Sequence, residues 1–192
     1  MAFNQSLPQL TMEVQTTPID GLLLVKPKVF GDDRGSFSET WNQRLFNELV
    51  GEEVSFVQAN ESRSAKGVLR GLHFQLPPHA QGKLVRVVRG EALDVAVDLR
   101  RDSPTYGKHH AVVLTGDSGW QYWIPPGFAH GFLSLDDQTV FQYMCTGFYT
   151  PHAERALRWD DADLAIAWGI SAPELSAKDA VAGAFREFDS PF

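Results

Sequence analysis

Leu84-Val85-Arg86-Val87-Val88-Arg89-Gly90-Glu91-Ala92-Leu93-Asp94-Val95-Ala96-Val97-Asp98-Leu99 sets the fold class of this chain. Its first part is rich in β-branched residues and stops at Arg89-Gly90, a turn pair. In its second part Leu93, Val95, Val97 and Leu99 alternate with Asp94, Ala96 and Asp98, the two-residue period of an extended strand. Outward from this stretch the pattern repeats. Ala111 to Leu114 is stopped by Thr115-Gly116-Asp117, and Thr139 to Cys145 by Thr146-Gly147. Short strands punctuated by turn residues every ~8–12 positions predict an all-β sandwich or barrel. Helices are few. Trp41 to Val50 predicts one short helix ended by Gly51, and the stretch after Ser176 predicts another. Asp160 to Pro173 predicts loops that pack Ile166 and Trp168 on the barrel.

The 192 residues fit one domain, with no linker and no internal repeat to divide them. A domain of that size buries roughly 70% of the surface of its unfolded chain, so it needs no staple. Cys145 is the only cysteine, which rules out an intrachain disulfide and predicts a reducing, cytoplasmic setting. Met1 to Met12 holds no basic segment followed by an apolar one, so no signal peptide is expected. No apolar run approaches the ~20 residues of a membrane span, so no membrane association is expected. A net charge of −7 argues against nucleic acid as a partner. It leaves room for a small anionic ligand if the few basic residues gather in one place.

The polar residues concentrate in Asn60-Glu61-Ser62-Arg63-Ser64-Ala65-Lys66-Gly67-Val68-Leu69-Arg70-Gly71-Leu72-His73-Phe74-Gln75. A histidine flanked by apolar residues is more often structural than catalytic, but His73 keeps company with Arg70, Gln75 and Lys83. A second stretch, Gly119 to Phe132, contains Pro125-Pro126-Gly127-Phe128-Ala129-His130. This Pro-x-Gly-x-x-His spacing resembles the second motif of the cupins, which are small double-stranded β-helix barrels. Many cupins hold a metal through a His-x-His pair in the first motif. Here the corresponding residues are His73-Phe74-Gln75, and Gln75 is a poor substitute for imidazole. A catalytic metal normally needs three protein ligands, so no metal is expected. His79, His109, His110 and His152 read as loop or surface residues. In Phe141-Gln142-Tyr143-Met144-Cys145-Thr146 the odd positions share one largely apolar strand face. Tyr143 is there either a core tyrosine bonded to a carbonyl or a functional phenol.

The longer motifs resemble the dTDP-4-dehydrorhamnose 3,5-epimerase family from about Ile19 to Ala180. Asp32-Asp33-Arg34-Gly35-Ser36-Phe37-Ser38-Glu39 carries that family's Asp-x-Arg-Gly-x-Phe-x-Glu pattern, and Gly67 to Gln75 its Gly-x-x-Arg-Gly-Leu-His-x-Gln pattern. Ala80 to Val85, Ser103 to Gly107, Pro126 to Phe132 and Leu175 to Asp179 follow in order. The resemblance implies a cupin-type jelly-roll barrel, a homodimer and no cofactor. It implies inversion of C3 and C5 of dTDP-4-dehydro-6-deoxyglucose. Carried over position by position, it makes His73 the general base, Asp179 its partner, Tyr143 the general acid and Lys83 the stabiliser of an enolate oxygen. It places Arg34, Phe37, Glu39, Gln58, Asn60, Arg70, His130, Glu154 and Lys178 around the nucleotide sugar. Two departures stand out: Phe74, where tyrosine is frequent, and Gly147-Phe148, where polar residues are common.

The chemistry is coherent with those residue types. Protons on carbons beside a ketone are acidified by it, and an imidazole exchanges protons near neutral pH. Lysine offers a cation to a developing oxyanion. A phenol, with an ordinary pKa near ~10, is matched to protonating an enolate carbon. Guanidinium forks suit a diphosphate. Three other readings compete. Inversion at one carbon alone uses the same residues and is distinguished by counting labelled carbons in deuterated water. A metal-dependent cupin would carry stoichiometric metal. A sugar-nucleotide binding module would bind without proton exchange.

Overall fold

The computed structural model describes residues 12–192, so the segment read for a signal peptide lies, up to residue 11, outside the described residues. Among the described residues thirteen strands run in chain order: β1 Met12–Thr16, β2 Leu23–Pro27, β3 Val29–Asp32, β4 Gly35–Ser38, β5 Gln58–Ser64, β6 Leu69–Gln75 and β7 Lys83–Arg89. They continue as β8 Glu91–Asp98, β9 His109–Thr115, β10 Gln121–Ile124, β11 Phe128–Ser134, β12 Thr139–Cys145 and β13 Glu154–Ala156. One α-helix, α1, covers Gln43–Val50. The strands form a six-stranded sheet in the order β1-β2-β10-β7-β12-β5 and a five-stranded sheet in the order β13-β6-β11-β8-β9. All ladders between named strands are antiparallel. Two sheets face to face with crossed connections are the expected cupin-type jelly-roll barrel.

Three apolar clusters hold the layers. Between the sheets lie Val85, Val87, Ala92, Ala96, Tyr122, Phe132 and Phe141, with Phe132 and Phe141 stacked at 4.0 Å. On the outer face of the five-stranded sheet, Val95, Val97, Ala129 and Leu133 are covered by Trp168, Ile166, Phe188 and Phe192 from the C-terminal segment. On the outer face of the six-stranded sheet, Val25, Leu84 and Trp123 receive α1 through Phe46. Phe46 is fully buried, and burying such a side chain contributes roughly 1.5–3 kcal/mol. The loops from Asp160 onward therefore seal one sheet, as the apolar Ile166 and Trp168 imply.

The helix is shorter than Trp41 to Val50. Asn42 is extended and caps α1, its side chain accepting from Leu45 N at 3.2 Å, so Trp41 and Asn42 precede it. Gly51 closes it in the left-handed conformation, φ 75°. After Ser176 there are two single turns of 3₁₀ helix, Asp179–Val181 and Phe185–Glu187, in place of one longer helix. The alternation in β8 does not mark a solvent face. Both faces of the five-stranded sheet are covered, so Asp94 and Asp98 are buried within the barrel layer. The hairpin of β3 and β4 forms its own two-stranded sheet, joined to neither large sheet.

Candidate active site

The inner faces of both sheets converge on a cavity of about 770 Å³, lined by His73, Lys83, His130, Tyr143, Glu154, Lys178 and Asp179 among others. A local irregularity in β6 sets its geometry. A regular strand would point residues 70 and 73 to opposite faces. The register with β11 pairs His130 with His73 but Phe132 with Arg70, so β6 spends one extra residue there. This bulge turns both Arg70 and His73 inward. Gly71, at φ +120°, makes it possible: a Cβ there would sit 2.5 Å from Gly131 Cα.

His73 Nε2 lies 2.5 Å from Oδ1 of Asp179, the first residue of a 3₁₀ turn supplied by the C-terminal segment. The His73 side chain is 25% exposed and that of Asp179 only 3%. Burial raises the proton affinity of the Asp179 carboxyl. The bonds from His73 and Ser176 and the charges of His73 and Lys178 outweigh it and hold the group below the usual carboxylate range. An ionised carboxylate only accepts, which assigns the N–H to Nε2 and leaves the lone pair on Nδ1.

Lys83 opens β7 with its side chain on the inner face, opposite Cys145 of β12. No carboxylate among the described residues pairs with it, and its Nζ donates to the His73 carbonyl at 3.4 Å. Burial pushes its pKa down, with Cys145, Asp94 and Glu154 opposing. Tyr143 shares its strand face with Phe141 and Cys145, and its ring borders the inter-sheet core. Its hydroxyl makes no hydrogen bond to protein among the described residues, so the expectation of a core tyrosine tied to a carbonyl does not describe it. Burial raises its pKa. His73 and Tyr143 thus reach the cavity from opposite sheets, on β6 and β12.

Deeper in the barrel His130 makes a second histidine–carboxylate pair. Its Nε2 stands 3.1 and 3.0 Å from the two oxygens of Asp94, on the neighbouring strand β8. Burial lowers the His130 pKa against the opposing pull of Asp94. Asp94 escaped the sequence reading. The available signal was an acid between Ala92 and Ala96, small residues two positions away on the same face.

At the rim Lys178 Nζ bonds Glu154 Oε1 at 2.6 Å, and Tyr149 Oη donates to Glu154 Oε2 at 2.9 Å. Gln58 and Asn60 line an adjoining pocket that shares His73, Lys83, Tyr143 and Glu154. Gln58 Nε2 donates to Asn60 Oδ1 at 3.0 Å, and its own oxygen accepts from Tyr149 N. Gln75, at the position where a metal cupin carries histidine, is 4% exposed and fully engaged. Its amide donates to the carbonyls of His79 and Phe148 and accepts from Thr150 N at 2.6 Å. It fastens the segment that carries Tyr149. Among the described residues no three His, Cys, Asp or Glu side chains cluster in a way that could hold a metal ion.

Arg34, Phe37 and Glu39 lie outside the cavity. Arg34 and Phe37 project from the β3–β4 hairpin, Phe37 at 67% exposure, and Arg34 pairs with Asp32. Glu39 accepts from Asn42 Nδ2 at 3.0 Å. His109 and His110 are not loop residues: they begin β9, and His110 Nδ1 meets Tyr122 Oη at 2.9 Å. His79 and His152 do lie in turns, edge-to-face at 5.3 Å. Phe74 packs outward on Phe188 at 4.9 Å.

Comparison with known proteins points the same way. Residues 16–187 match the family model described as dTDP-4-dehydrorhamnose 3,5-epimerase. The chain is 53% identical over 168 residues to the Shigella flexneri enzyme of that name, covering 88% of this chain and 93% of that one. Its Pseudomonas aeruginosa counterpart is 51% identical over 179 residues, covering 93% and 98%. The crystal structure of a dTDP-6-deoxy-D-glucose-3,5-epimerase from Legionella pneumophila, in complex with dTDP-4-keto-L-rhamnose, superposes with a TM-score of 0.90. It shares 46% identity and covers 93% of this chain and 95% of that chain.

Proposed function

Because the chain belongs to the dTDP-4-dehydrorhamnose 3,5-epimerase family, we propose that its cavity performs that reaction with His73 as base and Tyr143 as acid. The enzyme is an isomerase that inverts C3 and C5 of dTDP-4-dehydro-6-deoxyglucose. The observation that carries the assignment of roles is the placement of His73 and Tyr143 on opposing sheets across one cavity that Lys83, on β7, also lines.

Nδ1 of His73 takes the proton from C3 or C5, and the C–H electron pair moves into an enolate with its charge on the C4 oxygen. The imidazolium so formed rests against the Asp179 carboxylate. Lys83, a cation with no carboxylate partner among the described residues, has its charge available for that oxygen. Tyr143 gives its phenolic proton to the opposite face of the carbon, which inverts it. Solvent then reprotonates the tyrosinate and removes the proton from His73. Arg70 at the cavity mouth supplies a guanidinium for the diphosphate. A local basic cluster in this way serves an anionic substrate on a chain of net charge −7.

The working form we propose is a cytoplasmic homodimer. Cys145 is an unpaired buried thiol, in keeping with a reducing compartment. The β3–β4 hairpin exposes Val29 and Phe37 and, among the described residues, makes no ladder with the body of the chain. Arg34, Phe37 and Glu39 belong to the family's substrate-binding pattern yet miss this chain's own cavity, which fits an arm that completes the site of a second copy. Mixing inactive His73→Ala and Arg34→Ala subunits would then restore part of the activity; no recovery in exchanged dimers would refute the shared site.

Activity is tested by supplying dTDP-4-dehydro-6-deoxyglucose with the downstream reductase and NADPH. NADPH oxidation that depends on this protein, and is absent with His73→Ala, is the expected result. Unchanged turnover by a folded His73→Ala variant would remove His73 as base.

A further inference from the structure

On β5 the side chains at Gln58, Asn60, Ser62 and Ser64 point inward in strict alternation, while Ala59, Glu61 and Arg63 are exposed. Three of these four polar groups have protein partners. Gln58 bonds Asn60, Asn60 Nδ2 reaches Cys145 Sγ at 3.7 Å, and Ser64 Oγ accepts from Arg70 Nε at 3.1 Å. The fourth has none. Ser62 Oγ is the one buried side-chain polar atom among the described residues without a hydrogen-bond partner.

A buried hydroxyl with no partner is costly, and native proteins rarely leave one without a reason. Its surroundings give the reason. Ser62 lines the large cavity and sits directly opposite Phe141 in the ladder with β12. One inward step along β5 is Asn60, opposite Tyr143. One step the other way is Ser64, which anchors Arg70. Ser62 therefore stands between the phenol that faces the reacting carbon and the guanidinium that faces the diphosphate. That interval belongs to the hexose.

We propose that Ser62 is a positioning residue whose hydroxyl hydrogen-bonds a hydroxyl group of the bound hexose. The inference rests on the reading of this cavity as a nucleotide-sugar site. A neutral hydroxyl both donates and accepts, so it suits a sugar hydroxyl of either polarity. Its neighbour Phe141, stacked on Phe132, is apolar and offers that sugar hydroxyl no competing bond.

The test compares dTDP with dTDP-L-rhamnose, which adds the hexose but no ketone, by calorimetry on wild type, Ser62→Ala and Ser62→Cys. Both variants should bind dTDP-L-rhamnose about threefold to tenfold more weakly, the weight of one ordinary hydrogen bond, and dTDP as the wild type does. The KM for the epimerase substrate should rise by a similar factor while kcat changes less than KM. The Tm of the ligand-free Ser62→Ala protein should not fall, because the substitution removes an unsatisfied group. Unchanged affinity for dTDP-L-rhamnose in both variants would mean that water is the hydroxyl's partner and would overturn the proposal. Equal losses for both ligands, or a lowered Tm with them, would assign Ser62 a structural role instead. A wild type that binds neither ligand would take down the nucleotide-sugar reading, and this proposal with it.

Discussion

His73 and Asp179 are separated by 106 residues in sequence and by 2.5 Å in space, Nε2 to Oδ1. The bond joins a strand of the five-stranded sheet to a turn of the C-terminal segment. It does two things at once: it fixes the ring orientation, and it pins that segment across the cavity. Asp179→Asn keeps the size of the side chain and removes the charge. Its expected effect on kcat is a loss of roughly 10²–10⁴-fold, as when an orienting carboxylate is neutralised beside a catalytic imidazole. Stability responds to pH with a definite sign. The folded Asp179 carboxyl titrates below its unfolded value near ~3.9, so its contribution is present above that value. It is lost as pH falls through the lower folded value. Urea midpoints measured down through this acid range should fall more steeply for wild type than for Asp179→Asn.

Lys83 lines the cavity without a carboxylate partner among the described residues. Burial lowers its pKa, so the folded protein releases that proton before the unfolded chain does. A charged Lys83 therefore costs stability below its folded pKa, and the cost is relieved as pH rises toward the unfolded value near ~10.4. Lys83→Met should not lower the Tm at neutral pH, yet should lower kcat about 10²–10³-fold through loss of the oxyanion cation. The alkaline limb of the wild-type kcat profile should appear at a lower pH than a solvated lysine would give. In Lys83→Arg that limb should move upward. A limb in the same place in Lys83→Arg would assign it to another group.

The Asp94–His130 pair lies in the barrel interior with both side chains buried. Asp94→Ala leaves the His130 N–H without an acceptor, which should cost about 1–3 kcal/mol in urea unfolding. Asp94→Asn keeps an oxygen within reach of His130 and should recover most of that loss. If Asp94→Ala unfolds at the wild-type midpoint, the pair does not hold the barrel floor.

Much of this was legible in the sequence, and the gaps have identifiable physical causes. The period of two in β8 and the turn residues between strands report local backbone geometry, which neighbouring residues encode directly. His73, Lys83 and Tyr143 were legible because their motifs are contiguous. Asp94 was not: an acid in an alternating strand ordinarily faces water, whereas its face, shared with Ala92 and Ala96, lies between the two sheets. Arg70 and His73 share a face because of a bulge that needs the close approach of Gly71 to Gly131, a contact between strands far apart in sequence. Gln75 read as a missing metal ligand. Its buried amide instead fastens the Phe148–Thr150 backbone, a role visible only once that loop is placed beside it. After Ser176 no longer helix forms: Asp179 is committed to His73 of the barrel, and Phe185 N to Asp161 of the covering loop.

Tyr143 allows the two halves of the reaction to be separated. Its hydroxyl has no protein partner among the described residues, and burial raises its pKa, so it holds its proton through the neutral range. Tyr143→Phe removes that proton and keeps the ring against Phe141. His73 still abstracts a proton from the near face, and the enolate has only the same face from which to be reprotonated. In deuterated water the variant should therefore wash deuterium into C3 and C5 of the recovered substrate while forming little inverted product. NMR of the sugar protons measures both at once, and labelling at two carbons distinguishes double from single epimerisation in the wild type. Loss of exchange together with loss of inversion would place Tyr143 before the enolate, in binding or in proton abstraction, and not at the step that inverts the carbon.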